Sequence, residues 1–401
     1  MQSDNGTAPI GRNTPVSYEP PGTSRPGRVL FITRKWPPAC GGMETYSREL
    51  TSALSQCADT HLDILALPGR PDGRPPRAIS LLRFFAAAAW HLLTRGRRVD
   101  AVHLADMVLW PLAVWCRLVA PRTRTVITMH GLDLLFARRT SLAGRIYRAY
   151  IAGARMCARA LDARLANSRA TARVAMRAGI PATHVIPLGV RLPSITARPL
   201  PEHRRVILFV GRLCERKGAA WFAENVLPHL PADVEFHVAG PEGDPRERRR
   251  LLAAGPRVQL LGRLSDRDLA DRRARARAVV MPNVPGSQPD IEGFGLTALE
   301  APAQGAVLIA ADFQGISDAV IHRQTGFLVP TLDIAGWTAR VSEVLAWSYA
   351  ERTAFVARAQ EALRAHYAWS GVAAETRSAY SATPGLAPVD LADKQGAPHG
   401  A

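Results

Sequence analysis

Val206-Ile-Leu-Phe-Val-Gly-Arg-Leu-Cys-Glu-Arg-Lys-Gly218 is the stretch on which the fold turns. Five apolar residues in a row, Val206 to Val210, read as a strand buried on both faces, and Gly211 ends it in a polar loop. Strands of this kind belong to parallel sheets covered by helices on both sides. The alternation continues down the chain, with strands expected at Glu235–Ala239, Val258–Leu261, Val279–Met281 and Val307–Ala310. A separate series precedes Pro199-Leu-Pro201: a strand at Val29–Thr33, a helix starting near Met43, and strands at His61–Leu67, Ala101–Leu104 and Thr125–Met129. Two such units within 401 residues predict an α/β chain of two doubly wound, Rossmann-like domains facing each other across a deep cleft. The boundaries read as 28–198 for the first domain and 199–350 for the second. Helices at 351–380 are expected to cross back to the first domain, between Gly/Pro/Ser-rich tails, 1–27 and 381–401, that read as disordered.

The chain has 51 Lys+Arg against 34 Asp+Glu, a net charge of +17. Residues 1–200 hold 28 basic and 11 acidic side chains, and residues 201–401 hold 23 of each, so the whole excess lies in the first half. A nucleic-acid-binding chain is expected to interleave basic residues with stacking aromatics; 6% aromatic content and a neutral second half argue against that class. Only Lys35, Lys217 and Lys394 are lysines, so Arg is the default cation, as GC-rich codon usage produces, and a Lys stands out. Five widely spaced cysteines without a C-x-x-C suggest neither a disulfide framework nor a zinc site and fit a reducing cytosol. Residues 1–27 lack the apolar core of a signal peptide, and Ile79–Thr94 is too short, and interrupted by Arg83, to span a bilayer. The expected location is cytoplasmic.

Ligands of doubly wound sheets sit beyond the carboxyl ends of the strands, which directs attention to the loops there. On the loop after Val210, Arg212 and Lys217 place two cations at the mouth of the cleft, a geometry that suits a diphosphate, although basic loops are often merely solvated. The second segment is Glu292-Gly-Phe-Gly-Leu-Thr-Ala-Leu-Glu300. Its glycines mark a loop with free backbone amides, leading into a helix whose positive end faces whatever lies above. Glu292 on the loop and Glu300, expected about two turns into that helix, can hydrogen-bond the hydroxyls of a polyol; the plainer alternatives are a loop acid and a solvated helix residue. Asp266-Arg-Asp268 has a spacing that can hold a divalent cation, but Ser265 ahead of it reads better as a helix start, and no metal or other cofactor is expected.

Gly-Arg-x4-Lys-Gly after a strand, followed by Glu-x7-Glu in a Glu-Gly-Phe-Gly context, resembles the retaining glycosyltransferases of family 4, which have the GT-B fold. Gly41-Gly-Met-Glu-Thr-Tyr46, Met129-His130-Gly131, Asn167-Ser168, Val185-Ile-Pro-Leu-Gly189 and Thr325-Gly-Phe-Leu-Val329 extend the resemblance in order, from about Val29 to Tyr380. The resemblance implies an acceptor-binding first domain and a second domain that binds a UDP- or GDP-sugar. It implies that Arg212 and Lys217 hold the donor diphosphate, that Glu300 binds the ribose, and that amides at Gly295, Leu296 and Thr297 contact phosphate and sugar. It further implies Glu292 and His130 facing the transferred sugar, Gly41 and Gly42 closing over the diphosphate, and Arg263 with Leu264 beside the base. Sugar transfer with retention then proceeds by front-face attack within an ion pair, without metal.

In the first half, Arg138, Arg139, Arg145, Arg148, Arg155 and Arg159 recur at helical steps with Ile146, Tyr150, Ile151 and Met156 interleaved. Phe84, Phe85 and Trp90 likewise accompany Arg83, Arg95, Arg97 and Arg98. Such helices either lie on an anionic membrane or simply keep Arg on the wet side of a core. The expected function is therefore sugar transfer to a lipid-linked or envelope-glycan acceptor at the inner face of the cytoplasmic membrane. A small soluble acceptor, such as an aminocyclitol, is the alternative. A basic nucleic-acid-binding protein and a GT-B sugar-nucleotide epimerase are the remote ones, and no nucleic-acid partner is expected.

Overall fold

The computed structural model describes residues 27–70, 75–135, 141–193, 205–287, 291–381 and Val389. The tails read as disordered, residues 194–204 around Pro199-Leu-Pro201, and Arg138 and Arg139 lie outside the described residues, save for Gly27, Ser381 and Val389 of the tails. The first half forms β1 (Arg28–Trp36), α1 (Gly42–Ser55), β2 (His61–Pro68), α2 (Ala78–Arg95), β3 (Ala101–Leu104), α3 (Trp110–Val119), β4 (Arg124–Met129), α4 (Leu132–Leu135), α5 (Leu142–Met156), β5 (Ala163–Ala166), α6 (Arg169–Arg177) and β6 (His184–Val185). The second forms β7 (Arg205–Val210), α7 (Ala219–Asn225), β8 (Val234–Ala239), α8 (Pro245–Ala253), β9 (Val258–Gly262), α9 (Asp266–Arg275), β10 (Ala278–Met281), α10 (Thr297–Ala303), β11 (Leu308–Asp312), α11 (Ile316–Ala319) and β12 (Phe327–Pro330). Three helices close the chain, α12 (Ile334–Ala346), α13 (Tyr349–Tyr367) and α14 (Trp369–Ser381).

Each half is a parallel sheet, in the order β2-β1-β3-β4-β5-β6 and β12-β11-β10-β7-β8-β9. The predicted α/β class with two doubly wound sheets is the observed one. Alternate strand residues explain the layering. Leu30, Ile32, Val102 and Ile127 meet α2, α3, α5 and α6 through Phe84, Leu92, Ala113, Ile151 and Ala175. Val29, Phe31, Ala101 and Val126 point the other way, to Leu50 and Leu54 of α1 and Ala373 and Tyr380 of α14. That second cluster runs on into the other half through Leu208, Met281, Leu299, Leu308 and Leu363, so α13 and α14 join the two sheets in one apolar core. The crossing is pinned by polar contacts: Tyr380 Oη shares a 2.7 Å hydrogen bond with His103 Nδ1, and His103 Nε2 one of 2.8 Å with Thr128. Burial holds the His103 imidazole down to about 3.

Strand order changes direction between β1 and β3 in one sheet and between β7 and β10 in the other. At such a switch point the loops leaving neighbouring strands diverge and open a crevice. The loops after β7 and β10 therefore form the crevice of the second sheet, and those after β1 and β3 that of the first.

Candidate active site

The loop after β7 folds back on itself as a single 3-10 turn over Glu215–Lys217 and exits through Gly218 at φ 74°. A Cβ there would lie 1.9 Å from the Pro282 carbonyl oxygen, so only glycine lets this loop pack against the loop after β10. Further ties hold the two loops together. Val284 N donates to the Arg216 carbonyl at 3.0 Å, and Ser287 donates from both N and Oγ to Glu215 Oε2, at 3.0 and 2.6 Å. The consequence is that Lys217 meets Glu292: Nζ lies 2.6 Å from Oε2.

Arg216 Nη1 reaches the same oxygen at 2.6 Å, and Asn283 Nδ2 donates to it at 3.3 Å. All three contacts fall on Oε2. Burial pushes this carboxyl up, but the Lys217 ammonium and the Arg216 guanidinium outweigh burial and hold it at about 2. The Glu292 backbone is fixed as well, its N–H donating to Gln314 Oε1 at 2.7 Å and its carbonyl accepting from Gly315 N at 3.1 Å. Arg212, on the same loop as Lys217, is exposed and forms no hydrogen bond or ion pair with the described residues.

Glu300 differs from expectation. Gly295 at φ 86° delays the helix, so α10 begins at Thr297 and Glu300 lies in its first turn, not two turns in. It is partly exposed but not idle: the buried Arg273 donates to Glu300 Oε2 at 2.7 Å and to Gln304 Oε1 at 2.8 Å. The amides of Gly295, Leu296 and Thr297 have no acceptor among the described residues. Beyond β9, Arg263 is exposed and Leu264 half-buried against the apolar core. Asp266 and Asp268 stand in the first turn of α9, where Ser265 Oγ accepts from Asp268 N at 3.1 Å.

The first domain supplies the facing wall. His130 leaves β4 buried, and Nε2 donates to the Ala105 carbonyl at 2.9 Å, so Nδ1 is the ring nitrogen left for another partner. The His130 backbone N–H donates to Asp133 Oδ1 at 3.0 Å. A Cβ on Gly293 would lie 2.2 Å from the His130 carbonyl oxygen, so the residue after Glu292 touches the residue that bears the histidine. Ile291, on the other side of Glu292, packs with Leu135 and Ala170. Gly42 opens α1 with Leu296 Cδ1 3.7 Å from where its Cβ would stand. The seam therefore runs on both sides of Glu292, and Lys217, Glu292, His130, Gly42 and Leu296 are drawn to one region.

Arg216, Asn283 and Gln314 escape the sequence reading. Arg216 falls among the filler positions of Gly-Arg-x4-Lys, Asn283 follows a strand in Met-Pro-Asn, and Gln314 adopts φ 52° before a glycine, a turn signal without a chemical one.

Residues 40–192 match the model of "Glycosyltransferase Family 4", and residues 204–346 that of "Glycosyl transferases group 1". The phosphatidyl-myo-inositol mannosyltransferase of Mycolicibacterium smegmatis is 32% identical over 209 residues, 50% of this chain and 52% of that protein. The D-inositol 3-phosphate glycosyltransferase of Xylanimonas cellulosilytica is 31% identical over 244 residues, 55% of this chain and 57% of the other. The chain thus spans about half the length of such curated relatives. Among solved structures, the sucrose-phosphate synthase of Thermosynechococcus elongatus superposes with a TM-score of 0.66 at 21% identity, over 88% of this chain and 98% of that one. Anabaena HepE in complex with UDP-glucose gives 0.63 at 18% identity, over 88% and 99%. At these identities the two structures speak for the fold, which is GT-B.

Proposed function

Starting from a chain that belongs to the family 4, group 1 glycosyltransferases, we propose that it moves a sugar from a UDP- or GDP-sugar to an acceptor held by the first domain, with retention at the anomeric carbon. The observation that carries this reading is the Lys217–Glu292 pair at the switch point of the second sheet, on a loop whose Gly293 meets His130 and whose Leu296 meets Gly42 of the first. Leaving-group charge develops on the diphosphate as the glycosidic bond breaks, and fixed cations stabilise it most in a desolvated crevice. Lys217 and the uncommitted Arg212 take that part. The amides of Gly295, Leu296 and Thr297 add neutral donors. Glu300, anchored through one oxygen by Arg273, offers the other to a ribose hydroxyl, and Arg263 with Leu264 flanks the base. Glu292 Oε1 and His130 Nδ1 accept from hydroxyls of the transferred sugar. The acceptor attacks on the face the diphosphate leaves, and no metal ion enters the scheme.

A lipid-linked or envelope-glycan acceptor is favoured by the outer face of the first domain. Helices α2, α3 and α5 lie side by side on one face of its sheet and contain no Asp or Glu. Trp90 is 67% exposed there, Leu142 70% and Met156 85%, among exposed Arg83, Arg95 and Arg155. Apolar side chains set among cations suit the surface of an anionic bilayer. No described helix is long and apolar enough to cross a membrane. The association proposed is peripheral, at the cytoplasmic face. The matched phosphatidyl-myo-inositol mannosyltransferase supports the lipid reading, and the inositol 3-phosphate glycosyltransferases keep a small soluble acceptor as the second one.

A thermal-shift panel of UDP-, GDP- and ADP-sugars tests the donor assignment. One base class is expected to stabilise the protein, by about 2.7 kcal/mol at a hundredfold excess over Kd. Lys217→Ala and Glu300→Ala are expected to lose most of that response, and Glu300→Gln, which preserves an acceptor for Arg273, separates lost ribose binding from local damage. Stabilisation by no nucleotide, or parent-like responses from the variants, overturns the assignment.

A further inference from the structure

Two cations on one carboxylate oxygen are more than its charge requires. Arg216 Nη1 and Lys217 Nζ both lie 2.6 Å from Glu292 Oε2. The two differ in how they are held. The Arg216 main chain is tied to the loop after β10 through Val284 N, and its neighbour Glu215 is tied to the same loop through Ser287. Its guanidinium is a planar fork that loses little freedom in one fixed contact, whereas Lys217 carries a compact ammonium on a stem of four rotatable methylenes. If Lys217 alone served the site, Glu292 and a diphosphate would compete for one ammonium, and two anions would be left facing each other across a crevice that excludes most water.

We propose that Arg216 is a positioning residue: it holds Glu292 through Oε2, with Oε1 directed at the transferred sugar, once Lys217 turns to the donor diphosphate. This rests on the reading of the loop after β7 as the diphosphate site. Arg216 itself touches no part of the donor. Its effect passes through Glu292, whose ionised form it sustains together with Lys217. Asn283 is the remaining donor to that oxygen and brings no charge.

The test is calorimetric titration of UDP and UDP-glucose, and of GDP and GDP-mannose, into the parent and into Arg216→Ala, Arg216→Gln, Arg216→Lys and Lys217→Ala. The readout is the ratio of the two dissociation constants for each pair, which isolates the contribution of the sugar. For whichever base binds the parent, Arg216→Ala is expected to leave nucleoside diphosphate affinity within about threefold while the ratio falls by about tenfold against nucleotide sugar, 1.4 kcal/mol. Arg216→Gln is expected to behave like Arg216→Ala, Arg216→Lys to restore most of the ratio, and Lys217→Ala to weaken the diphosphate itself. Equal weakening of both ligands by Arg216→Ala makes Arg216 a diphosphate ligand and overturns the proposal, as does a ratio that does not move. Should the alanine variant fail to fold, the glutamine and lysine variants carry the same contrast. Binding of neither diphosphate to the parent removes the underlying reading, an outcome distinct from an unchanged ratio.

Discussion

Glu292 is the residue at which sequence, electrostatics and domain contact meet. Its folded-state carboxyl is depressed to about 2 because Lys217 and Arg216 outweigh its burial. A depressed carboxyl contributes stability that is complete above the ordinary glutamate range and is lost as pH falls toward the folded value. The stability difference between the parent and Glu292→Gln is therefore expected to favour the parent at neutral pH and to shrink between about pH 5 and pH 3, read from denaturant midpoints. A difference independent of pH contradicts the ion-pair account. At this scale the sequence was only partly legible. Lys217 is conspicuous because the composition supplies 48 Arg and three Lys, and Glu292 because Gly293 and Gly295 follow it. Arg216 is hidden by the same abundance of Arg, and the clamp of Arg273 on Glu300 joins residues 27 positions apart that no local pattern connects.

The elements were legible wherever an apolar run was continuous. Strands β1, β3, β7 and β8 fall within a few residues of the expected runs, and each is buried on both faces. Strand β5 is missed because Arg164 interrupts it, and the structure absorbs that charge by letting Nε donate to the Pro181 carbonyl at 2.6 Å and Nη1 to that of Leu161 at 3.0 Å. Helix α5 needs correction too. Ile146 and Met156 are exposed as an amphipathic membrane helix requires, but Ile151 is buried in the core and Tyr150 Oη donates to the Val108 carbonyl at 2.5 Å. The interleaved apolar residues therefore divide between two faces, and the surface proposed to meet a bilayer draws on α3 as well as on the two segments the sequence offers. Trp90 gives a prediction for that surface. The ring is mostly exposed, so Trp90→Ala is expected to leave the melting temperature within about 1 °C while reducing co-sedimentation with anionic vesicles at low salt severalfold. No binding by the parent, or equal binding by the variant, removes membrane docking from the account.

At the scale of the whole molecule, two sheets, each with a switch point, are joined by a C-terminal pair of helices and a seam beside Glu292 and His130. Asp318 of the second domain takes a direct part in the seam: Oδ2 accepts from Arg169 N at 2.8 Å, at the start of α6 in the first domain, and its carbonyl accepts from Tyr367 Oη at 2.8 Å. Asp318→Ala removes an acceptor from the first turn of α6, a cost of about 1 kcal/mol. Faster hydrogen exchange at Arg169 and Ala170 and at the Ile291–Gly293 loop is the expected result, and unchanged exchange at all of them denies the seam its role. The two-domain architecture could be read from the restart of strands after Pro201, but this seam could not, because it pairs residues nearly 150 positions apart. The central claim is that the crevice between the loops after β7 and β10 holds a nucleoside diphosphate. Its most direct measurement is the structure of the protein soaked with UDP-glucose or GDP-mannose, whichever stabilises it. The account predicts the diphosphate against Lys217 and Arg212 with the sugar between Glu292 and His130; a diphosphate bound away from Lys217, with Glu292 untouched, contradicts it.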